Sequence, residues 1–263
     1  MTVKNNQRDM SFYYDESNRT IHLYNRPLDQ IPNKYQKVIL NSLFGINSFD
    51  VCNFVIEDDI QPEIIDWFCT RDTLIDIDLL KLDTSNINDM SYLFFGCKEL
   101  KRLDLTNFDT SNTSDMYSMF TYCSSLTALD LSNFNTSKVT NMCNMFYNCS
   151  NLNCLNVNNF DISNVIDMSE MFYNCYSITS LDLSNWDNSN VKDSQDMFKN
   201  MIHLEKISLG KNWEWKNKGF LPTPSNKYIN GADGKWHTAN GKSYLPEEIP
   251  NNVIDTYYAV PKF

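Results

Sequence analysis

A 26-residue period runs through the middle of the chain without a single insertion, and it leaves few folds open. Phe94, Phe120, Phe146, Phe172 and Phe198 stand one period apart, as do Leu93, Met119, Met145, Met171 and Met197. Three further columns keep the same step. They are Leu82, Phe108, Phe134, Phe160 and Trp186; then Leu100, Leu126, Leu152, Ile178 and Leu204; then Ile77, Leu103, Leu129, Leu155, Leu181 and Ile207.

Two shorter periods run inside each repeat. Leu103-Asp104-Leu105 alternates apolar and polar, which predicts a short strand with one buried face. Met116, Met119, Phe120 and Cys123 follow the spacing i, i+3, i+4, i+7, which predicts a two-turn helix with Ser114 or Asp115 as its N-cap. Between them, residues 107–112 are rich in Asn, Asp, Ser and Thr, which close turns through their own side chains. Neither element buries its apolar side alone, so successive coils must stack and share one core. The expected fold is α/β: a leucine-rich-repeat solenoid, capped at both ends, with a parallel sheet on the concave side and short helices outside.

The pattern frays at its ends. Trp67-Phe68 and Leu74 sit one period before Leu93-Phe94 and Leu100, so a degenerate coil precedes five regular ones over residues 67–210. In the last coil Ser194 stands in the column of Met90, Met116, Met142 and Met168, and Met201 in that of the cysteines. Residues 211–263, with Trp213, Trp215, Trp236, Tyr228 and several prolines, suit a lid over the last coil. Residues 1–66, with Phe12-Tyr13-Tyr14 and an amphipathic stretch over 35–43, are expected to cover the other end.

Composition narrows the partners. The net charge of −11 repels nucleic acid and anionic lipid, and admits a cationic partner. No stretch has the length of a membrane span, and the first residues carry no apolar signal segment. The histidines (His22, His203, His237) are far apart and no Cys-x-x-Cys occurs, so neither a metal site nor a cofactor is expected. The column Cys97, Cys123, Cys149, Cys175 lies on the apolar side of the coil, where buried free thiols rank above disulfides. The Gly-x-Ser-x-Gly, P-loop, His-Glu-x-x-His and dinucleotide-binding glycine patterns do not occur, and the carboxylates recur with the repeat instead of forming one tuned pair.

The candidate site is the outward side of the strands. Asp76, Asp78, Arg102, Asp104, Asp130, Asn156 and Asp182 fall there, between or beside the buried strand positions. A column of like charges is mildly destabilising. It reads equally as a binding stripe or as a ladder bonded to neighbouring Ser, Thr and Asn; a calcium ladder ranks below both, because only 7 glycines are present.

The repeat L-D-L-S-N-F-x-T-S-x-V-T-x-M-x-x-M-F-x-N-C-S-x-L (Leu129–Leu152) resembles the signature of BspA-like bacterial leucine-rich-repeat surface proteins. The tail, Leu221-Pro-Thr-Pro-Ser through Asn230-Gly-Ala-Asp-Gly-Lys-Trp to Asp255-Thr-Tyr-Tyr-Ala-Val, is similar to the segment that closes such arrays. The resemblance implies a non-enzymatic surface or secreted protein that binds a protein or glycan, without catalytic residues. The alternative is an intracellular scaffold or exported effector that uses the same face on a cytoplasmic partner.

Overall fold

The computed structural model describes residues 11–15, 17–24, 53–57, 68–69 and 72–261. The amphipathic stretch at 35–43 and Trp67 lie outside the described residues. Strands β1 (Ser11–Asp15) and β2 (Thr20–Tyr24) form an antiparallel hairpin, and β2, β3 (Asn53–Ile56) and β4 (Asp76–Asp78) then pair in parallel. Ile21, Phe54 and Ile77 stand side by side in that register. The strand column of the repeats therefore extends back to Ile21.

The middle of the molecule is thinner in regular sheet than the alternating pattern predicts. β5 (Ala128–Leu129) pairs with β6 (Cys154–Leu155), and β7 (Ser180–Leu183) with β8 (Lys206–Leu209), while no strand forms at Leu103–Leu105. The Thr106 N–H donates to Asp104 Oδ1 at 3.0 Å and closes a turn straight after the strand position, as the Ser184 N–H does with Asp182 beside β7. A second parallel register runs elsewhere in the coil, through Asp89, Asp115, Asn141, Asp167 and Asp193.

The predicted helices are absent. Among the described residues the only helical segment is a 3-10 turn at Pro246–Glu248, and residues 116–123 form consecutive β-turns instead. The N–H groups of Met119, Thr121 and Cys123 donate back three residues, to Met116, Ser118 and Phe120. Those of Met116, Ser118, Phe120 and Tyr122 reach across to the carbonyls of Asn141, Cys143, Met145 and Tyr147, at 3.1, 3.0, 2.9 and 2.8 Å. Alternate peptides thus close a turn or join two coils, and the backbone is satisfied without a helix. Left-handed residues make the alternation possible. They are Tyr92, Ser118, Asn144, Glu170 and Asp196 in one column, and Gly96, Tyr122, Asn148, Asn174 and Asn200 in another, with φ from 53 to 75°. Two successive four-residue turns place 116, 119, 120 and 123 on one side, so the spacing imitates a helix.

That side is the core. Phe68, Phe94, Phe120, Phe146, Phe172 and Phe198 are fully buried and stack with centroids 5.5–6.0 Å apart and planes within 12°. Rings at other angles end the stack: Phe54 meets Phe68 edge-on at 4.9 Å, and Trp213 and Trp215 meet Phe198 at 43° and 75°. The four column cysteines are buried free thiols, each donating Sγ–H to a phenylalanine carbonyl of the preceding coil at 3.1–3.2 Å. Buried Thr84 Oγ1 both accepts from the Asp109 N–H and donates to its carbonyl, and Thr110 treats Asn135 likewise. In the last coil Asn188 clamps Glu214 in the same manner.

The C-terminal segment continues the last sheet. β11 (Asp255–Tyr258) pairs antiparallel with β8, then β9 (Trp236–Thr238) with β11, and β10 (Ser243–Tyr244) with β9. Ser194 explains its departure from the methionine column. Its hydroxyl donates to the Lys216 carbonyl, and Gly219 lies so close that a Cβ would meet the Ser194 carbonyl oxygen at 2.2 Å. No helix among the described residues is long and apolar enough to cross a membrane.

Candidate binding faces

Each coil turns three corners, and an Asp or Asn occupies each. In the second coil Asp104, Asp109 and Asp115 accept from the N–H two residues on, at 3.0, 2.9 and 2.8 Å. The third coil does the same with Asp130, Asn135 and Asn141, and the fourth with Asn156, Asp161 and Asp167. Asp115 is therefore a corner residue and caps no helix. A second device is the asparagine row. Asn107 Nδ2 donates to the carbonyls of Leu79 and Leu82, both at 2.8 Å, and Asn133 and Asn159 repeat this one and two coils later.

These bonds settle what the outward aspartates do locally. Asp78, Asp104, Asp130 and Asp182, with Asn156, are exposed, and each turns one oxygen onto its own corner. The backbone and hydroxyl of Thr106 hold the Asp104 carboxyl below its usual range, and Ser132 does so for Asp130. Burial pushes Asp182 up, but donors from Ser184 and Asn158 outweigh it and the net shift is downward. Neighbouring charge is felt: Asp130 opposes ionisation of Asp104. Arg102 Nη2 lies 3.3 Å from Asp76 Oδ2, an exposed pair of small energetic weight. The seven residues thus share one face over successive coils. Their like-charged side chains are spaced by the coil rise and do not converge on a point. Among the described residues no group of three or more His, Cys, Asp or Glu is placed to share a metal ion. A surface depression of about 340 Å³ lies by Asn158, Asp161, Asn185 and Asp187.

A second outward row runs along the turns. Tyr92 meets Tyr117 edge-on at 5.0 Å, Phe95 meets Tyr122 at 5.8 Å, Tyr122 meets Tyr147 at 5.6 Å, and Tyr147 stacks on Tyr173 at 4.8 Å. The row ends on Lys199, whose Nζ sits 5.4 Å from the Tyr173 centroid and 3.0 Å from Asp196 Oδ2. Sequence reasoning missed it because these residues occupy four different columns of the repeat.

No curated protein matches the chain. Its structure is similar to a leucine-rich cell surface protein from Faecalibacterium prausnitzii, with 17% identity and a TM-score of 0.38. That match covers 96% of this chain, which spans 65% of the length of the other. It is also similar to a leucine-rich repeat protein from Bacteroides ovatus, with 13% identity and a TM-score of 0.29 over 76% of this chain and 70% of that one. The family described as Mycoplasma protein of unknown function, DUF285, matches residues 65–154 and, overlapping them, 123–220. These matches take in more than half of the sequence, and the chain belongs to that family.

Proposed function

We propose that this protein is a non-enzymatic binding module, surface-displayed or secreted, that adheres to a protein or glycan through the outward side of its strands. One observation carries the reading. The inward columns repeat nearly the same residue in every coil, because burial and cross-coil bonds require it. One of the two outward strand columns instead changes at each step: Asp76, Arg102, Ala128, Cys154, Ser180. A rigid array with freely varied outward positions is how solenoids build extended recognition surfaces. Beside that column the carboxylates of Asp78, Asp104, Asp130 and Asp182 leave one oxygen each to solvent-side donors, which favours a basic partner and salt-sensitive association.

The test is capture by the intact chain, comparing wild type with Asp104→Asn plus Asp130→Asn. Asparagine preserves the corner bond, as Asn156 demonstrates at 3.0 Å, so folding is retained while charge is removed. Capture that weakens and loses its salt dependence supports the sheet face; unchanged capture removes it. The buried free thiols are what favour the second reading, a scaffold or exported effector facing a cytoplasmic partner, since thiols persist in reducing compartments. Protease accessibility of the protein on intact cells separates the two locations.

A further inference from the structure

The aromatic row is expensive for the fold to keep. Tyr92 and Tyr122 hold left-handed backbones, at φ 59 and 62°, where other coils place Ser, Asn, Asp, Glu or Gly. A bulky residue is disfavoured there. Nor does burial compensate, because the two side chains are 41% and 39% exposed. Glycine or asparagine, as found in other coils, would hold that backbone with less strain, so the turn alone does not account for the tyrosines.

The Tyr122 ring borders a cleft of about 280 Å³, lined among the described residues by Asp72, Phe95, Gly96, Lys98 and Tyr122. That is below the range of drug-sized ligand pockets and of the size of one long side chain. Its chemistry is specific. Phe95 and Tyr122 present aromatic rings, whose π faces attract cations. Asp72 Oδ1 is buried and accepts no hydrogen bond, while Oδ2 stands 3.8 Å from Lys98 Nζ. The Asp72 side chain is 29% exposed, so its carboxylate can meet a cation from outside as it meets Lys98. The same row already contains such an arrangement. Lys199 lies over Tyr173 and bonds Asp196, one ammonium shared by one ring and one carboxylate.

We propose that the Phe95–Tyr122 cleft takes an arginine side chain from a basic segment of a partner, its guanidinium against the Tyr122 ring and one N–H donated to the exposed part of the Asp72 carboxylate. Arginine fits better than lysine because its planar group stacks on a ring and donates in the plane at once. The chain's net charge of −11 favours the approach of such a segment. This site lies on the turns, away from the strand face proposed above, and stands or falls separately from it.

The experiment is fluorescence anisotropy of a labelled arginine-rich hexapeptide titrated into the full-length chain, with a glutamine-substituted peptide as control. Tyr122→Asn is the informative variant, because Asn148, Asn174 and Asn200 already occupy that position in later coils. It is expected to leave the melting temperature within about two degrees or raise it. Peptide affinity should fall about tenfold, the scale of one desolvated cation–π contact. Asp72→Asn should cost a similar factor, and Tyr122→Phe should retain binding. Four results would overturn the proposal. The arginine peptide fails to bind, or binds no better than its glutamine control. Its affinity ignores both Tyr122→Asn and Asp72→Asn. Asp104→Asn with Asp130→Asn abolishes binding while Tyr122→Asn does not, which moves the peptide to the strand face. A neutral oligosaccharide binds in a Tyr122-dependent manner and the peptide does not.

Discussion

Truncating Phe146 to alanine probes the ring stack at its centre. Its ring is fully buried, with parallel neighbours at 5.6 Å on both sides, Phe120 and Phe172. Large-to-small changes at buried phenylalanine cost about 3–5 kcal/mol, and each stacked pair adds about 0.5–1.5 beyond its area. Because stacking is lost on both faces, the expected loss is about 4–5 kcal/mol, at the upper end. Phe198→Ala should cost less, about 3 kcal/mol, because only Phe172 stacks on it while Trp213 and Trp215 meet it at steep angles. In urea, with an m-value of about 3 kcal/mol/M for a chain of this size, Phe146→Ala lowers the midpoint by about 1.5 M. Far-UV circular dichroism follows the whole array. Fluorescence is dominated by Trp186, Trp213, Trp215 and Trp236 at the C-terminal end, so coincident transitions report one cooperative unit. A shift under about 0.5 M, or equal losses at Phe146 and Phe198, would refute a continuous ring stack ended by differently packed caps.

Three further outcomes follow from the same structure. In the native state Cys154, which is exposed, reacts readily with a thiol reagent, whereas Cys97, Cys123, Cys149 and Cys175 react only on unfolding; burial pushes the Cys149 thiol up to about 12, and fast native labelling of these four would contradict the packing. Serine donors hold Asp109, Asp161 and Asp187 below the ordinary carboxylate range, so their stabilisation is complete above the unfolded value near pH 4 and is lost as pH falls through the lower folded values. Asp115 has the opposite sign, raised by burial with Asp89 nearby, and offsets part of that loss; stability that is flat or rising from pH 5 to 3 would reverse the assignment. Deleting residues 211–263 strips Trp213 and Trp215 from Phe198 and β11 from β8, so size-exclusion chromatography should show association, and a soluble monomer would make the tail a separate appendage.

Much of this was legible in the repeat, and its blind spots have physical causes. The inward columns Phe94–Phe198 and Cys97–Cys175 are buried as their periodicity requires. Helix and turn ladder, however, place Met116, Met119, Phe120 and Cys123 on the same side, so apolar spacing cannot separate them. The distinguishing signal was polar: Gly96 with Asn148, Asn174 and Asn200 in one column, residues that tolerate left-handed backbone. The strands at Ile21 and Phe54 were hidden because their spacings, 33 residues from Thr20 to Asn53 and 23 from Asn53 to Asp76, break the period. Asp78, Asp104, Asp130 and Asp182 are exposed, but their corner role is visible only beside Asp109 and Asp115, which lie off the strands. The aromatic row escaped because its rings are spread over four columns, and the one that holds Phe95, Tyr147 and Tyr173 is interrupted by Thr121.

The central structural claim is that each coil joins the next through its turns, without helices. Scalar couplings across hydrogen bonds, measured on deuterated, isotope-labelled protein, test it directly. The account predicts coupling from the Phe120 amide nitrogen to the Met145 carbonyl carbon, and from Tyr122 to Tyr147. Coupling from Phe120 to the carbonyl of Met116, four residues back, would show a helix there and contradict it.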